Sequence, residues 1–172
     1  MSIDIVEAFT AKNKCYQAGA PLRPQGLMLH SIGTPQPSAA VLARYFDQYQ
    51  PGGQSVCVHA FVQADGTVYQ TLPWEMRGWH CGATANSTHI GIEMTEPSAG
   101  VPYAEAAEQI TGTYRAAVAL FARRGTGAAW RATTRTRHIC GTPTAWASPW
   151  TGSAAPSPRQ WLGPRKRRRK QT

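Results

Sequence analysis

The sequence predicts an α/β fold in which helices pack against a β-sheet. Three patterns favour this fold class. A short apolar strand precedes a helix, two strand patterns flank a hairpin turn, and a further strand precedes a long helix with apolar residues three or four positions apart. At 172 residues the chain can build a substantial core, and we expect one domain followed by a tail.

The N-terminal residues predict a helix and then a loop. The helix would begin at Ser2, whose hydroxyl can cap it, and end at about Lys12. Its apolar face would comprise Ile5, Ala8 and Phe9. Residues 13–25 are rich in Gly and Pro and are expected to form a loop.

The segment from Gly26 to Gly33 predicts a strand that is buried on both faces and ends at His30. A strand end holds a side chain rigidly beside a loop, so His30 is a candidate metal ligand or catalytic imidazole. The other interpretation that this pattern leaves open is a hydrogen-bonded core histidine.

A second helix and a hairpin follow. Pro37-Ser38 begins the helix, and residues 50–53 end it. Its predicted core face comprises Val41, Leu42, Tyr45 and Phe46. Ala64-Asp65-Gly66 is a hairpin turn signal between strand patterns at residues 56–63 and 67–71, so we expect an antiparallel pair.

The next strand and the next helix are the most regular patterns in the chain. In the strand from Thr88 to Met94, the alternation places Glu93 on the face opposite to that of the Ile and Met residues. The helix is predicted from Ala104 to Arg124 and ends before Gly125. Its predicted core face comprises Ile110, Tyr114, Val118 and Phe121.

The charge is divided unevenly along the chain. The net charge is +9, yet all nine acidic residues lie at or before Glu108, where five Lys and Arg leave a net of −4. Thirteen Lys and Arg follow without any acidic residue. In this last third, only residues 136–140 resemble a strand, although the domain at 1–124 is expected to continue to about residue 142. Residues 143–172 are expected to form a basic Pro/Arg-rich tail, disordered or atypical.

Two explanations of this composition stay open. One is an authentic basic tail that binds anionic polymers. The other is translation of residues 125–172 from a GC-rich gene in a shifted frame.

The cysteines and the N-terminus indicate the compartment. Cys15, Cys57, Cys81 and Cys140 are scattered without a C-x-x-C pair, so we expect no disulfide framework, no thiolate zinc site and a reducing compartment. The first residues do not resemble a signal peptide, and no stretch approaches about 18 consecutive apolar residues. We therefore expect a cytoplasmic protein without a membrane span.

The residues that carry chemistry come from different elements. The candidates for one groove are His30, His59, His80, Glu93, Trp74 and Trp79. Neutral imidazoles can hold Zn²⁺, and a carboxylate can take and return the proton of a zinc-activated water. This set therefore points to metal-assisted hydrolysis.

Four sequence blocks resemble the type 2 family of zinc-dependent N-acetylmuramoyl-L-alanine amidases, which includes phage endolysins and peptidoglycan recognition proteins. The blocks are GLMLHSIG (26–33), VHAFV with DGTVYQTLP (58–62 and 65–73), GWHCG (78–82) and NSTHIGIEM (86–94). Their order and spacing match the family pattern over about residues 1–124. The resemblance implies a mixed central sheet with flanking helices, Zn²⁺ as cofactor, and a groove that binds peptidoglycan or muropeptide.

The resemblance also implies roles for individual residues. The histidine that ends the first family strand is a zinc ligand, which corresponds to His30. Glu93 is implied to be the proton shuttle, because Val58 stands where other members carry a catalytic tyrosine. The residues implied to line the substrate groove are His59, Trp79 and His80.

The remaining zinc ligands are less clear from the family pattern. The second zinc histidine of the family follows the long helix, and His138 is the best match by position, against an incidental histidine. The family's third ligand is a Cys or Asp further along. Cys140 comes only two residues after His138 and no acidic residue follows Glu108, so the third ligand stays open.

Two functions follow from the resemblance. One is hydrolysis of the bond between N-acetylmuramic acid and L-alanine, as in a bacteriolytic endolysin released by a phage lysis system or in a wall-recycling amidase. The other is non-catalytic peptidoglycan binding with an incomplete zinc site. Nucleic-acid binding is disfavoured because the folded part carries negative net charge. We expect a monomer.

Overall fold

The computed structural model describes residues 2–48, 56–124 and 131–134, with Arg124 and the last four residues described by their backbone alone. Six strands and four helices are formed within these ranges. In chain order they are β1 (Asp4–Glu7), α1 (Lys14–Ala18), β2 (Gly26–Ser31), α2 (Ala39–Gln48), β3 (Ala60–Val62), β4 (Thr67–Gln70), α3 (Gly82–Asn86), β5 (His89–Met94), α4 (Tyr103–Arg124) and β6 (Arg131–Thr134). None of these helices has the length and apolar character needed to cross a membrane.

The strands form one mixed sheet in the order β1-β4-β3-β5-β2-β6. β3 and β4 are antiparallel, and the other neighbouring strands are parallel. The predicted α/β fold with a mixed central sheet and flanking helices is therefore confirmed. The hairpin at Asp65-Gly66 and the strand that contains Glu93 are confirmed as well.

Apolar side chains cover both faces of the sheet. On one face, Ala116, Ala117 and Leu120 of α4 pack with a cluster that includes Leu27 and Ile92. On the other face, the buried side chains of α2 pack around Phe61 of β3. Phe61, Glu93 and His30 are in register on the three adjacent strands β3, β5 and β2, so the candidate site lies on the α2 face of the sheet.

The predicted N-terminal helix is wrong, because residues 4–7 form β1, which pairs in parallel with β4. Ile5 lies opposite Val68 and packs against the α4-side core, and this tertiary contact outweighs the local helical pattern. The predicted loop at residues 13–25 also contains a helix, α1. Its N-cap is Asn13, whose side chain accepts a hydrogen bond from the backbone N–H of Cys15.

The long helix α4 is confirmed, but three of the four residues predicted for its core face are exposed. The fourth, Phe121, is partly buried and packs against the core. Ile110, Tyr114 and Val118 are 55%, 50% and 46% exposed, and the buried positions are instead held by Thr113, Ala116, Ala117 and Leu120. A methyl group at Gly112 would lie 2.7 Å from the carbonyl oxygen of Ala64. Only small side chains allow this close approach to the sheet, so the helix turns its small residues inward.

The expectation of no disulfide is also wrong. Cys15 of α1 and Cys57, in the segment before β3, are bonded across a separation of 42 residues. Both cysteines are fully buried with Leu72 in a small cluster of their own. Their spacing could not indicate this pair, because the fold brings α1 against the β3 segment. Disulfides persist in oxidising environments, so the expected reducing compartment loses its basis in the cysteine pattern.

The last third of the chain contributes one described element, β6, which pairs in parallel with β2. It begins upstream of the strand predicted at residues 136–140. His138, Cys140 and the basic tail at 143–172 lie outside the described residues.

Candidate active site

Two site residues from the sequence prediction are brought together by strand register. His30 near the end of β2 lies directly opposite Glu93 of β5. Both side chains are buried, at 8% and 5% exposure. Because β2 and β5 are parallel, their carboxyl ends meet at one edge of the sheet, where open α/β sheets place their ligands.

Glu93 is a carboxyl group in a dry environment. Its Oε2 has no hydrogen-bond partner within the described parts of the chain. Burial raises the pKa of Glu93 from 4.5 to about 8, and the nearby charge of Glu96 acts in the same direction. Near neutral pH this group can therefore exist with or without its proton.

The imidazoles of His30 and His80 are joined by a hydrogen bond that fixes their tautomers. The carbonyl oxygen of His89 can only accept, so Nε2–H of His80 donates to it across 3.2 Å. Burial, with lesser contributions from the neighbouring histidines, lowers the pKa of His80 well below its usual value. In neutral His80, Nδ1 is then an acceptor for Nε2–H of His30 at 3.0 Å. Neutral His30 therefore has Nδ1 as its unprotonated nitrogen.

His59 lies behind this pair and is fully buried. The backbone N–H of Gly91 donates to its Nδ1 at 3.0 Å, and its Nε2–H donates to the carbonyl of Met76 at 2.7 Å. Burial lowers the pKa of His59 to about 4. With both nitrogens bonded to the protein, His59 holds β5 to the segment that precedes Gly78, and it presents no surface to a ligand.

Two glycines make room for the histidine rings. A methyl group at Gly91 would lie 2.6 Å from Cγ of His80. A methyl group at Gly78 would lie 3.0 Å from both the His59 and the His80 rings. These glycines were not among the residues selected from the sequence, although each stands inside a recognised block. For Gly91 the signal was available, since a glycine within a strand indicates a close approach.

Asn86 fixes the backbone that carries His80. Its Oδ1 accepts hydrogen bonds from the backbone N–H groups of His80 and Cys81, each at 2.8 Å. Asn86 is the last residue of α3, so this short helix supports the Trp79-His80 segment. Neither α3 nor the role of Asn86 was predicted from the sequence.

The aromatic residues predicted for the groove differ in exposure. Trp79 is partly exposed and pairs its backbone with that of Cys57, next to the disulfide. Trp74 is buried and stacks on His59 with nearly parallel rings. His80 is only 4% exposed, and its ring is hydrogen-bonded to that of His30. The residues implied to line the substrate groove are His59, Trp79 and His80. Of these three, Trp79 is the most accessible.

Glu96 holds the turn that follows His30. Its Oε1 accepts hydrogen bonds from the hydroxyl of Ser31 and from the backbone N–H of Gly33. Gly33 has φ +69°, a backbone conformation that favours glycine. Two sets of hydrogen bonds therefore hold the end of β2 at His30. One joins the His30 and His80 rings, and the other joins Glu96 to the turn that follows.

The described residues do not by themselves make a zinc centre. No group of three or more His, Cys, Asp or Glu side chains is placed to hold a metal ion within residues 2–48 and 56–123. Of the two predicted zinc ligands, His30 lies in this part of the chain and His138 does not. The unprotonated Nδ1 of His30 would suit a zinc ligand, and the carboxyl of Glu93 would suit a proton-transfer group beside the metal. A zinc centre at this place would need further ligands from outside the described ranges.

Solved structures, an endolysin and the hydrolase AmiA among them, are similar to this chain in fold. A mutant endolysin from Bacillus subtilis is 23% identical, with 76% of this chain and 84% of that chain covered at a TM-score of 0.54. The catalytic domain of XlyA is 24% identical, with 77% and 84% covered and a TM-score of 0.57. Staphylococcus aureus hydrolase AmiA, solved with its ligand, is 22% identical, with 79% and 66% covered and a TM-score of 0.53.

The sequence itself matches a family model. No curated protein is significantly similar to this chain. The model described as N-acetylmuramoyl-L-alanine amidase matches residues 20–148, which is most of the chain. This range contains all four blocks on which the resemblance was based, together with His30 and Glu93. The chain therefore belongs to the type 2 N-acetylmuramoyl-L-alanine amidase family.

Proposed function

We propose that this protein hydrolyses the amide bond between N-acetylmuramic acid and L-alanine in peptidoglycan, with Glu93 as the proton shuttle. The observation that carries the proposal is the placement of Glu93, a buried carboxyl with a pKa of about 8, in register with His30. Family membership supplies the substrate class.

The environment of Glu93 suits a group that must take a proton and then return it. A pKa close to the working pH makes both transfers nearly balanced in free energy. Glu93 would take a proton from the attacking water and pass it to the leaving amine of L-alanine. Its dry surroundings keep competing water away from the carboxyl group.

Zinc is the implied cofactor, and His30 would be its first ligand, through Nδ1. When bound, zinc supplies Lewis acidity to the scissile carbonyl and to the attacking water. We propose His138 as the second ligand. The support is the pairing of β6 with β2, in which Thr134 lies opposite Leu29, so the chain leaves β6 at the His30 end of the sheet. His138 follows four residues later.

The three residues expected at the substrate groove divide into two roles. Trp79 is the proposed contact with the muropeptide, because it is partly exposed beside the Cys57 segment. His80 and His59 act instead through hydrogen bonds that hold His30 and Gly91. Loss of either buried imidazole should therefore change the position of the residue to which it is hydrogen-bonded, His30 or Gly91.

A second candidate function is non-catalytic binding of peptidoglycan. The observation that favours it is the departure of the last third from the family pattern, since Cys140 comes only two residues after His138 and no acidic residue follows Glu108. Binding could survive without a complete zinc centre, whereas hydrolysis could not.

The test compares Glu93→Gln with the remote control Glu105→Gln, which changes an exposed residue of α4. We expect Glu93→Gln to retain bound zinc and muropeptide affinity and to lower the cleavage rate by about 10² or more, the usual scale for loss of a general base. Zinc is measured by mass spectrometry, and cleavage by release of the stem peptide.

The ligands are tested in the same assay. His30→Ala and His138→Ala should each abolish stoichiometric zinc. Binding of muropeptide by the unmodified protein, without cleavage at any zinc concentration, would select the non-catalytic candidate. Full cleavage by Glu93→Gln would assign the shuttle to another group.

A further inference from the structure

The disulfide between Cys15 and Cys57 lies beside Trp79, the residue proposed to contact the muropeptide. The backbone N–H of Cys57 donates to the carbonyl oxygen of Trp79 at 3.1 Å, and the N–H of Trp79 donates to that of Cys57 at 3.0 Å. Residues paired in this way are directly opposite each other, so their side chains lie on the same side of the pair. Trp79 accordingly packs against the buried cluster of Cys15, Cys57 and Leu72, which contains the disulfide.

The chain that follows α1 holds the same region from a second direction. Residues 20–22 and residues 75–77 are joined by two backbone hydrogen bonds, each of 2.7 Å. We call residues 75–79 the groove segment. It is thus hydrogen-bonded both to residues 20–22 and to Cys57. Because Cys15 belongs to α1, which precedes residues 20–22, the disulfide joins the two parts of the chain to which the groove segment is bonded.

The position of α1 depends on a few tertiary contacts. The helix has only five residues, and a helix of this length is not stable on its own. Cys15 is its one buried residue. Its N-cap, Asn13, donates from Nδ2 to the carbonyl oxygens of Phe46 and Val56 at 3.0 and 3.1 Å. Loss of the disulfide would therefore remove the covalent anchor of α1 and let residues 20–22 move with the helix.

His30 and Glu93 are held by other contacts. They lie opposite each other on β2 and β5, which are adjacent strands of the central sheet. The backbone of His80, which follows the groove segment, is held by the side chain of Asn86 in α3. A shift of Trp79 should therefore weaken the binding of muropeptide and have little effect on proton transfer by Glu93.

We propose that Cys15 and Cys57 are positioning residues whose disulfide holds Trp79 in place, so that the affinity for muropeptide depends on the oxidation state of this pair. A dithiol reductant supplies two electrons and two protons, becomes a disulfide itself, and leaves Cys15 and Cys57 as two thiols. The oxidised protein then binds muropeptide more tightly than the reduced protein does. This inference rests on the proposed function in one respect, which is that Trp79 contacts the muropeptide.

The experiment measures the dissociation constant of a soluble muropeptide by calorimetry, with full chains that carry Glu93→Gln so that the peptide is not cleaved. We expect the double variant Cys15→Ala, Cys57→Ala to bind about tenfold more weakly, the scale on which a displaced aromatic contact lowers affinity. Dithiothreitol should weaken binding by the parent to a similar degree and leave the double variant unchanged. With Glu93 intact, the cleavage rate at saturating muropeptide should change by less than about twofold.

Leu120→Ala is the matched control for lost stability. Leu120 of α4 is fully buried in the cluster that α4 forms with the sheet, and its truncation destabilises on the same scale as loss of a disulfide. It should leave the affinity unchanged at a temperature at which circular dichroism shows every variant folded. Equal weakening in Leu120→Ala, or an effect of dithiothreitol that persists in the double variant, would overturn the proposal.

Hydrogen exchange tests the positioning without a ligand. The amides of Cys57 and Trp79 should lose protection in the reduced protein and in the double variant, while those of β5 keep it. If muropeptide binds in neither oxidation state, the proposed function fails, and lost protection at Trp79 would still support its positioning by the disulfide. Unchanged protection at Trp79, or lost protection with unchanged affinity, would overturn the proposal.

Discussion

At the scale of single residues, the candidate site depends on glycine at residues 78 and 91, where a side chain would collide with the histidine rings. The His80 ring lies where a methyl group on Gly91 would be, and its hydrogen bond to His30 requires that position. A glycine in a strand interior weakens the strand, since it has no side chain to pack. Here the space is filled by the imidazole, which connects β5 to the metal-ligand candidate on β2.

Gly91→Ala should therefore displace His80 and destabilise the protein by about 1–3 kcal/mol, the usual cost of overpacking. The same change in a His80→Ala background should cost much less, because the ring that clashes is gone. Chemical denaturation of the four proteins in this double-mutant cycle measures the coupling. Equal costs in both backgrounds would show that the His80 ring is not what excludes a side chain at residue 91.

His59 makes stability depend on pH in a specific window. Its pKa is lowered from 6.5 to about 4 by burial, so between these values the unfolded chain binds a proton that the folded protein does not. The contribution of His59 to stability should be fully present above about pH 6.5 and be lost as the pH falls toward 4. The loss should be about 3 kcal/mol in total.

His59→Gln removes this titration. We expect the free energy of unfolding of the variant to vary less between pH 4 and 6.5 than that of the parent protein. The remaining slope is the balance between His80, whose pKa is lowered as well, and Glu93, whose raised pKa acts in the opposite direction over this range. Denaturant unfolding at several pH values measures both slopes, and identical slopes would contradict the assignment.

At the scale of elements, the sequence predicted what depends on local pattern and failed where distant contacts decide. The antiparallel hairpin and the extent of α4 follow from turn chemistry and from apolar period, and both are confirmed. The exposed side of α4 could not be predicted, because contacts with distant residues, such as that of Gly112 with Ala64, decide which side faces the sheet. Similarly, β1 is a strand because β4 is available to pair with it.

The disulfide between Cys15 and Cys57 is the strongest link between α1 and the rest of the fold. Closing a segment of this length should contribute up to about 4 kcal/mol by restricting the unfolded chain. Replacing both cysteines with Ala should lower the free energy of unfolding by that order under non-reducing conditions. Peptide mapping without reduction should recover the Cys15–Cys57 pair from the parent protein. Its absence there would refute the bond.

At the scale of the whole molecule, the site joins residues that are far apart in the sequence. His30 and Glu93 meet because β2 and β5 are adjacent parallel strands, which the sequence indicated only through its resemblance to a family. The roles of His59 and His80 could not be read from the sequence, since burial and hydrogen-bond partners emerge only in the folded sheet. The roles of His30 and His138 as zinc ligands stay predictions, and the third ligand stays open.

β6 makes the last third of the chain part of the sheet. A chain that ends after Arg124 would lack β6 and leave β2, the strand of His30, at the edge. In parallel sheets, alternate amides of a strand bond to its two neighbours. We expect alternate β2 amides to lose protection from hydrogen exchange in this truncated chain, while those bonded to β5 stay protected.

A chain that ends after residue 142 keeps β6 and serves as the control for that comparison. Its β2 amides should exchange as slowly as those of the full chain. Equal protection in the shorter chain that ends at Arg124 would show that the pairing of β6 with β2 contributes nothing to the stability of the sheet.

The disulfide also has a consequence for the survival of the protein among proteases. Any single cut between Cys15 and Cys57 leaves two fragments that remain covalently joined. If the cut falls between α2 and β3, one fragment contains His30 and the other contains Glu93. The nicked molecule would still hold both halves of the site in one sheet, and the fragments would separate on a gel only after reduction.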